Sequence, residues 1–477
     1  MRSTFLLRSA VVLVCWWGSA ATAYASHALG ADLAYQYAGT ATNPYQYRVT
    51  ARLFGASGPI TDTQITLTCG KNECGTTLPG SFVATLMRTS VVLPPSGCAN
   101  AGSSYEAIVL EGMVQLSPAH WTLSIDLSNR ATGVINVQQS FNLSTYVKAV
   151  LDNSTGLVNS SPQFTTFRLI QLYGPQFQRN SLNAFDAEGD SLTYELVRPL
   201  ATPTSATACG MPTVGDIAPH FQINAATGEL LTVATGPIQQ GRYAMAGRVS
   251  EYRRLGGSWQ QVGSITRDMT YFMTAGANQM PTFTRVAPAG SPASQLLGQT
   301  IRVALGQSVA LLLTATDPDA GQTLTLSSNV AGLVPGATFQ PQGNGQGLLT
   351  WQVPVALPPG RYFLTVSARD NACPTPGASV LTLSFLVAPQ ALAARARQLL
   401  AQAPFPMPFV EEVRFQLAGT DKAAVTITDG LGRTLAQLTS DSNGEVRWRP
   451  AATLPAGLYL ARNANGTQLA HLLYSGR

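Results

Sequence analysis

The segment TITDGLGRTLAQL at residues 426–438 is followed by GEVRWRP at 444–450 and by LPAGLYLARNANGTQLAHLLYSGR at 454–477. Apolar and polar side chains alternate along these segments, as at Val446 and Trp448, and glycines stand between them. An apolar residue at every second position is typical of a half-buried β-strand, and glycines between such runs are typical of turns. These segments therefore predict a small, self-contained β-sandwich.

The order of these segments resembles the type A C-terminal sorting domain of the type IX secretion system. A DGLGR turn comes first, then a tryptophan-containing strand and an LPAGLY strand. The resemblance covers residues 404–477, and the usual PNP entry is replaced by Pro406, Met407 and Pro408. Such proteins cross the outer membrane of Bacteroidota and are released or kept on the cell surface. The resemblance implies that residues 404–477 contact the type IX secretion machinery and that the protein is extracellular or displayed on the cell.

The amino-terminal sequence agrees with export. Arg2 and Arg8 precede and flank a short apolar stretch at residues 10–17, and small residues follow up to Ala25. This order is typical of a signal peptide, so we expect residues 1–25 to be removed. No later segment has the roughly 18 consecutive apolar residues that a spanning helix needs. The sequence therefore predicts no transmembrane segment.

Composition favours many short strands. The 477 residues have room for about three or four domains of ordinary size. Charged residues make up 11% of the chain, against roughly 25% in an average globular protein. The 43 glycines and 30 prolines supply frequent turns. Because the arginines are dispersed, the basic stripe that nucleic-acid binding requires is missing from the sequence, and no nucleic-acid partner is predicted.

Two parts of the sequence repeat the same order of features. Each has an acidic turn, an alternating strand, a phenylalanine before a glycine-rich turn, and a Gly-Arg-Tyr strand, at 241–243 and 360–362. The repetition predicts two sandwich domains in tandem, at residues 161–277 and 278–388. Both resemble the cadherin-like and immunoglobulin-like repeats of bacterial surface proteins.

Residues 26–160 differ from the repeats. They begin with an SH opening and a tyrosine-rich hairpin, continue to a strand containing Trp121, and lead into an NSSP segment at 159–162. This order resembles the amino-terminal part of large gliding-motility-associated surface proteins. The resemblance implies surface exposure and adhesion rather than a reaction.

Together these patterns predict an all-β chain of tandem β-sandwich domains, Ig-like or cadherin-like, that ends in a β-sandwich sorting domain. Alanine, leucine and arginine favour a short helix in the linker. The predicted divisions are a signal peptide (1–25), an N-terminal β domain (26–160), a first repeat (161–277), a second repeat (278–388), a linker (389–403) and the sorting domain (404–477).

The acidic turns of the two repeats predict calcium sites. In the first, Asp186, Glu188 and Asp190 alternate, which directs three carboxylates to one side of an extended loop. Calcium takes 6–8 oxygen ligands, so further residues must contribute. The alternative is that these side chains cap turns through their own backbone amides. The further candidate calcium ligands are Asp268 or Glu251 for the first repeat. For the second repeat, the candidate ligands are Asp317, Asp319, Asp370 and Asn371.

Cysteine spacing predicts one disulfide. Cys69, Cys74 and Cys98 fall in one region, and Cys98 is expected to pair with either of the other two on an oxidising export route. Cys209 and Cys373 are expected to stand alone.

Motifs of known enzymes are missing from the sequence, and we predict no enzymatic activity and no catalytic or cofactor-binding residue. The histidines His27, His120, His220 and His471 fall in separate regions. Two enzyme hypotheses remain. Asp186 and Asp190 would be the acid and base of a glycoside hydrolase, or His27 would bind copper at the mature terminus of a polysaccharide monooxygenase.

A binding surface is a further hypothesis. Tyr35, Tyr37, Tyr45 and Tyr47 either form a sugar-stacking face or make ordinary cross-strand pairs in the hairpin. The sequence as a whole predicts a secreted or cell-surface structural or adhesive protein, stabilised by calcium and associated with gliding. The alternative is a surface glycan-binding module or a polysaccharide-degrading enzyme.

Overall fold

The computed structural model describes residues 28–476, so the predicted signal peptide lies outside the described residues. Within that range the residues left undescribed are 56–61, 73–76, 93–104, 167, 203–209, 233–238, 292–294, 374–375, 390–399, 420–421, 430–432 and 465–467. The chain forms two compact units, Met1–Pro389 and Gln390–Arg477. In the described ranges, no helix is both long and apolar enough to span a bilayer. The predicted all-β class is confirmed, because strands make up nearly all of the regular structure.

In its described residues, the first part of the larger unit has sixteen strands and a 3₁₀ turn at Ser140–Asn142. The strands are β1 (Ala28–Tyr37), β2 (Gln46–Gly55), β3 (Gln64–Gly70), β4 (Phe82–Val92), β5 (Glu106–Gln115), β6 (His120–Leu127), β7 (Thr145–Asp152), β8 (Gln163–Phe164), β9 (Gln171–Gly174), β10 (Arg179–Ser181), β11 (Ala184–Phe185), β12 (Ser191–Val197), β13 (Phe221–Ile223), β14 (Glu229–Thr232), β15 (Gly241–Leu255) and β16 (Ser258–Ala275).

Most of these strands belong to one sheet that closes on itself. Hydrogen bonds join β1, β2, β5, β4, β3, β6, β7 and β16 in that order, and β15 and β12 continue outward from β16. The ring closes because β16 also pairs with β1, with Gly30 opposite Met269 and Asp32 opposite Arg267. Two small sheets, β10-β14-β13 and β8-β11, lie off this path.

The interior of the ring is one continuous apolar core. Leu33 of β1, Trp121 of β6 and Ile265 of β16 are all buried within it. The predicted boundary at residues 160/161 therefore needs correction, because strands from both sides share a sheet and a core. Alternation identifies a strand from its own residues, whereas the choice of partner depends on contacts with distant parts of the chain.

The second repeat is a separate sandwich of two four-stranded sheets, β17-β19-β22-β21 and β18-β24-β23-β20. Its core is centred on Trp351, whose ring meets that of Phe385 edge to face at 5.1 Å between centroids. The elements are β17 (Thr282–Pro288), β18 (Thr300–Ala304), β19 (Ser308–Thr316), β20 (Thr325–Ser327), α1 (Val330–Leu333), β21 (Ala337–Gly343), β22 (Gln346–Gln352), β23 (Gly360–Arg369) and β24 (Ala378–Ala388).

The smaller unit is the sandwich that the alternation predicts, with sheets β25-β26-β29 and β28-β27-β30-β31. Trp448 lies in its core between the rings of Phe409 and Tyr459. The strands are β25 (Gln402–Phe405), β26 (Val413–Gln416), β27 (Ala424–Thr428), β28 (Thr434–Thr439), β29 (Glu445–Trp448), β30 (Gly457–Asn463) and β31 (Leu469–Tyr474).

This unit begins earlier than predicted. β25 starts at Gln402, inside the expected linker of residues 389–403, and pairs with β26. Pairing with a neighbouring strand thus overrides helix propensity at the end of the linker. The predicted helix otherwise falls on residues 390–399, which lie outside the described part of the chain.

The structure excludes one of the two predicted partners of Cys98 and corrects the expectation for Cys373. Cys69 is a buried free thiol, and burial raises its pKa to about 12, so it does not pair with Cys98. Cys373 does not stand alone, because it is disulfide-bonded. Cys74, Cys98 and Cys209 lie outside the described residues.

Candidate cation site at the first acidic turn

The first acidic turn connects β11 to β12 and carries Asp186, Glu188 and Asp190. Gly189 adopts φ +76°, and a Cβ at this position would stand 2.7 Å from the Tyr362 hydroxyl. Glycine therefore meets two demands here, a left-handed backbone and the close approach of the second repeat. β15 brings a fourth carboxylate, Glu251, to the same place.

The carboxylates converge in a buried cluster. One oxygen each from Asp186, Asp190 and Glu251 lies within 4.8 Å of the others. Glu251 is fully buried, and the two aspartates are nearly so. Like charges at this separation in a dry site repel one another strongly, so the cluster needs protons or a cation to persist.

Neighbouring groups bind both oxygens of Asp190 and one oxygen each of Asp186 and Glu251. The Arg253 guanidinium donates to Asp190 Oδ1 and Oδ2 at 2.7 and 2.5 Å. Glu251 Oε1 accepts from the Asn159 side-chain amide and from the Tyr35 hydroxyl. The Asp190 backbone N–H donates to Asp186 Oδ1 at 2.8 Å.

The opposite oxygens have no such partners. In the described part of the chain, Asp186 Oδ2, Glu188 Oε2 and Glu251 Oε2 are buried without a hydrogen bond. Glu188 Oε1, in contrast, accepts from the Ser160 backbone N–H at 3.1 Å. A buried polar atom without a partner is destabilising by about 1–3 kcal/mol, and more when it is charged. Two of these oxygens belong to the converging carboxylates of Asp186 and Glu251, and the third belongs to Glu188 of the same turn, which is the arrangement expected of a cation site.

The electrostatics of the cluster favour neutralisation. Burial, reinforced by the charges of Asp190 and Glu188, raises the pKa of Asp186 to about 7. Burial raises the pKa of Glu251 well above its ordinary value, and Asp186 and Asp190 act in the same direction. Without a metal, protons are therefore held in the folded cluster under conditions where an unfolded chain has lost them.

The raised pKa of Asp186 predicts a pH dependence of stability. The unfolded carboxyl loses its proton near pH 4 and the folded one near pH 7, so the folded state binds the extra proton between these values. In metal-free solution, the free energy of unfolding contributed by Asp186 is full at low pH and is lost as the pH rises through this range. Urea unfolding of wild type and Asp186→Asn should diverge accordingly, with the variant gaining relative stability toward pH 7. Parallel curves across the range would contradict the prediction.

Of Asp268 and Glu251, the two residues expected to contribute further ligands, it is Glu251 that lies beside Asp186 and Asp190. Asp268 instead accepts hydrogen bonds from Nη1 and Nη2 of the buried Arg130 guanidinium, at 2.8 and 2.6 Å. The sequence does not indicate Arg253, although its position two residues after Glu251 places both side chains on one face of β15.

The second acidic turn is organised differently. Asp317 Oδ1 accepts from the Asp319 backbone N–H at 2.8 Å, and Asp319 accepts from the backbone and side chain of Gln279. Both oxygens of Asp370 accept hydrogen bonds, and Asn371 Oδ1 accepts from the Thr323 backbone N–H. Within the described residues, Asp317 Oδ2 is the one carboxylate oxygen of this set that is buried without a partner. Turn capping, the alternative to calcium, describes most of this geometry.

The hypothesis of a tyrosine sugar face is wrong. Tyr35 and Tyr47 are buried, and the Tyr37 hydroxyl donates to Pro44 O at 3.0 Å. The ring of Tyr47 meets those of Tyr35 and Tyr37 edge to face. Only Tyr45 of the four is exposed. The tyrosines are cross-strand pairs because alternation places them on the core side of the hairpin.

The enzyme hypotheses find no support among the described residues. Asp186 and Asp190 are buried instead of lining a cleft, and Asp190 is held by Arg253. His220 is packed against Tyr271, whose hydroxyl lies 2.8 Å from its Nδ1. His27 lies outside the described residues.

Comparison with known proteins gives matches among solved structures only. No protein-family model matches the chain. No curated protein matches it either. The three-Ig fragment I67-I69 of titin, as an E-to-A variant, is 11% identical over 66% of this chain and 98% of its own, with a TM-score of 0.17. Drosophila N-cadherin EC1-3 is 11% identical over 65% of this chain and 97% of its own, with a TM-score of 0.16. Sidekick-1 immunoglobulin domains 1-4 are 11% identical over 93% of this chain and 99% of their own, with a TM-score of 0.15. These values support no inference about activity.

Proposed function

We propose that this chain is an exported structural or adhesive protein of the cell surface, whose first unit is stabilised by calcium bound at the first acidic turn. The observation that carries the proposal is the buried cluster of Asp186, Asp190 and Glu251, with unpartnered oxygens on Asp186, on Glu251 and on the neighbouring Glu188. The residues that would hold the ion are Asp186, Glu188, Asp190 and Glu251.

Charge balance favours a divalent ion at this site. Four carboxylates face one guanidinium, that of Arg253, and its charge is directed to Asp190. Calcium prefers carboxylate and carbonyl oxygens and accepts irregular geometry, which suits a cluster built from a turn and a strand. The Tyr362 hydroxyl of the second repeat lies against this turn, so an ion here would stabilise the junction between the closed sheet and the second repeat.

Calcium should raise the stability of the wild-type protein and leave Glu251→Gln unaffected. Extracellular calcium sites have dissociation constants of about 10⁻⁴ to 10⁻³ M, and ligand at 100 times that constant adds about 2.7 kcal/mol. Glutamine keeps the acceptor for Asn159 but removes the charge that attracts the ion. Thermal unfolding of the full chain, with calcium or with chelator, measures the difference.

Glu195→Gln is the matched control, because Glu195 is exposed and pairs with Arg248 on the surface. This control should keep the full calcium response. An equal response in Glu251→Gln, or none in wild type at millimolar calcium, would contradict the proposal. The isolated repeats are unsuitable for the test, since β16 needs β1 and β7 of the preceding region.

Export through the type IX system is supported by the sequence resemblance and by the separate core of the smaller unit. A sorting domain has to fold independently of the protein that it accompanies. The unit Gln390–Arg477 has its own apolar cluster around Trp448. Gliding is a narrower proposal that rests on the resemblance of residues 26–160.

A further inference from the structure

A groove of about 540 Å³ lies in the larger unit between the first and second repeats. Ligand sites commonly have volumes of about 300–1,000 Å³. One wall comes from β10, β14 and the segment just before β10, and the floor comes from β18, β23 and β24. The residues used below are Phe177, Arg179, Glu229, Thr300, Arg361 and Ser384.

The floor presents a guanidinium beside two hydroxyls. Arg361 Nη1 lies 3.4 Å from both Thr300 Oγ1 and Ser384 Oγ, and these two oxygens are 3.2 Å apart. The parallel pairing of β18 with β24 sets Thr300 opposite Ser384 and so fixes this arrangement. Within the described ranges, Arg361 has no salt bridge to a carboxylate, so its charge is uncompensated.

The wall presents an exposed aromatic ring, that of Phe177. Phe177 is 61% exposed. The guanidinium carbon of Arg179 lies 5.6 Å from the centre of its ring. Arg179 is itself held by Glu229 at 2.7 Å. The charge of this arginine is thus balanced, and among the described groove residues Arg361 remains the cation available to a ligand.

We infer that this groove binds an acidic oligosaccharide. A sugar ring would stack on Phe177, its carboxylate would pair with Arg361, and its hydroxyls would bond with Thr300 and Ser384. Sugars combine a flat C–H face with many hydroxyls, which matches an aromatic wall above a hydroxyl-bearing floor. This ligand class deepens the adhesive role proposed above and rests on that role for its biological meaning.

The test is titration calorimetry of the purified full chain with a tetramer of galacturonic acid, and with a tetramer of galactose as its neutral counterpart. We expect the acidic tetramer to bind more tightly, with an affinity that falls as salt increases. Phe177→Ala should weaken binding about 10-fold through lost stacking. Arg361→Gln should weaken it about 10- to 100-fold and remove most of the salt dependence.

Trp259→Ala is the matched control, because Trp259 is equally exposed, at 62%, and is not among the groove residues. It should bind as wild type does. Equal affinity for the two tetramers, no measurable binding, or unchanged affinity in both groove variants would overturn the inference. These measurements use neither calcium nor export, so their failure is distinct from failure of the proposed function.

Discussion

Removal of Gln390–Arg477 is expected to abolish export while leaving the rest of the protein folded. The cut falls at the boundary of the two units, so every strand from β1 to β24 is retained. In a bacterium that has the type IX machinery, the truncated chain should accumulate in the periplasm. Cell fractionation, with protease treatment of intact cells, measures where it is.

A single substitution tests the same proposal without a deletion. Trp448 is buried among Phe409 and Tyr459, and Trp→Ala in a core costs about 3–5 kcal/mol. Trp448→Ala should therefore unfold the smaller unit and retain the chain in the periplasm. Arg462→Gln, at an exposed position of the same unit, should be exported normally. Surface display of the truncated chain would refute the sorting role.

Asp32→Ala is expected to destabilise the larger unit by about 3–5 kcal/mol, the usual effect of removing one partner of a buried ion pair. Asp32 Oδ2 accepts from the fully buried Arg267 at 2.6 and 2.9 Å, and Asp32 Oδ1 accepts from Arg52 at 2.7 Å. Without Asp32, the Arg267 guanidinium remains buried with no counter-charge. Because this pair joins β1 to β16, its removal should weaken the pairing that closes the ring. Denaturant unfolding followed by tryptophan fluorescence measures it.

Glu195→Ala provides the comparison, since it removes a surface pair with Arg248. Exposed pairs contribute about 0–1 kcal/mol. If Asp32→Ala changes the free energy of unfolding by no more than this control, the buried pair does not hold the ring closed.

The sequence predicts local structure well in this chain and distant pairing poorly. The strands around Trp448 and the second repeat are recognisable because each alternates and is followed by a turn. Closure of β1 onto β16 leaves no local trace, because the pairing of Asp32 with Arg267 joins residues 235 positions apart. The buried charges of this pair are visible in the sequence only as ordinary polar residues.

In the candidate site, too, the sequence predicts what depends on local geometry and misses what depends on distant packing. The alternation of Asp186, Glu188 and Asp190 predicts convergence because one turn sets their geometry. The sequence leaves Glu251 and Asp268 as equal candidates, since both belong to the long hairpin of β15 and β16. Only the three-dimensional packing assigns Asp268 to Arg130 and Glu251 to the cluster.

The closed ring has a consequence for the order in which the protein matures. Transport that begins at the amino terminus delivers β1 and β2 long before β16, which supplies the second neighbour of β1 at residues 267–269. Until those residues have emerged, the apolar faces of the early strands have no complete interior to enter. If the chain is exported as proposed, the first module would finish folding only when Arg267 has crossed, 235 positions after Asp32. The unfolded intermediate would have to be shielded from aggregation until then.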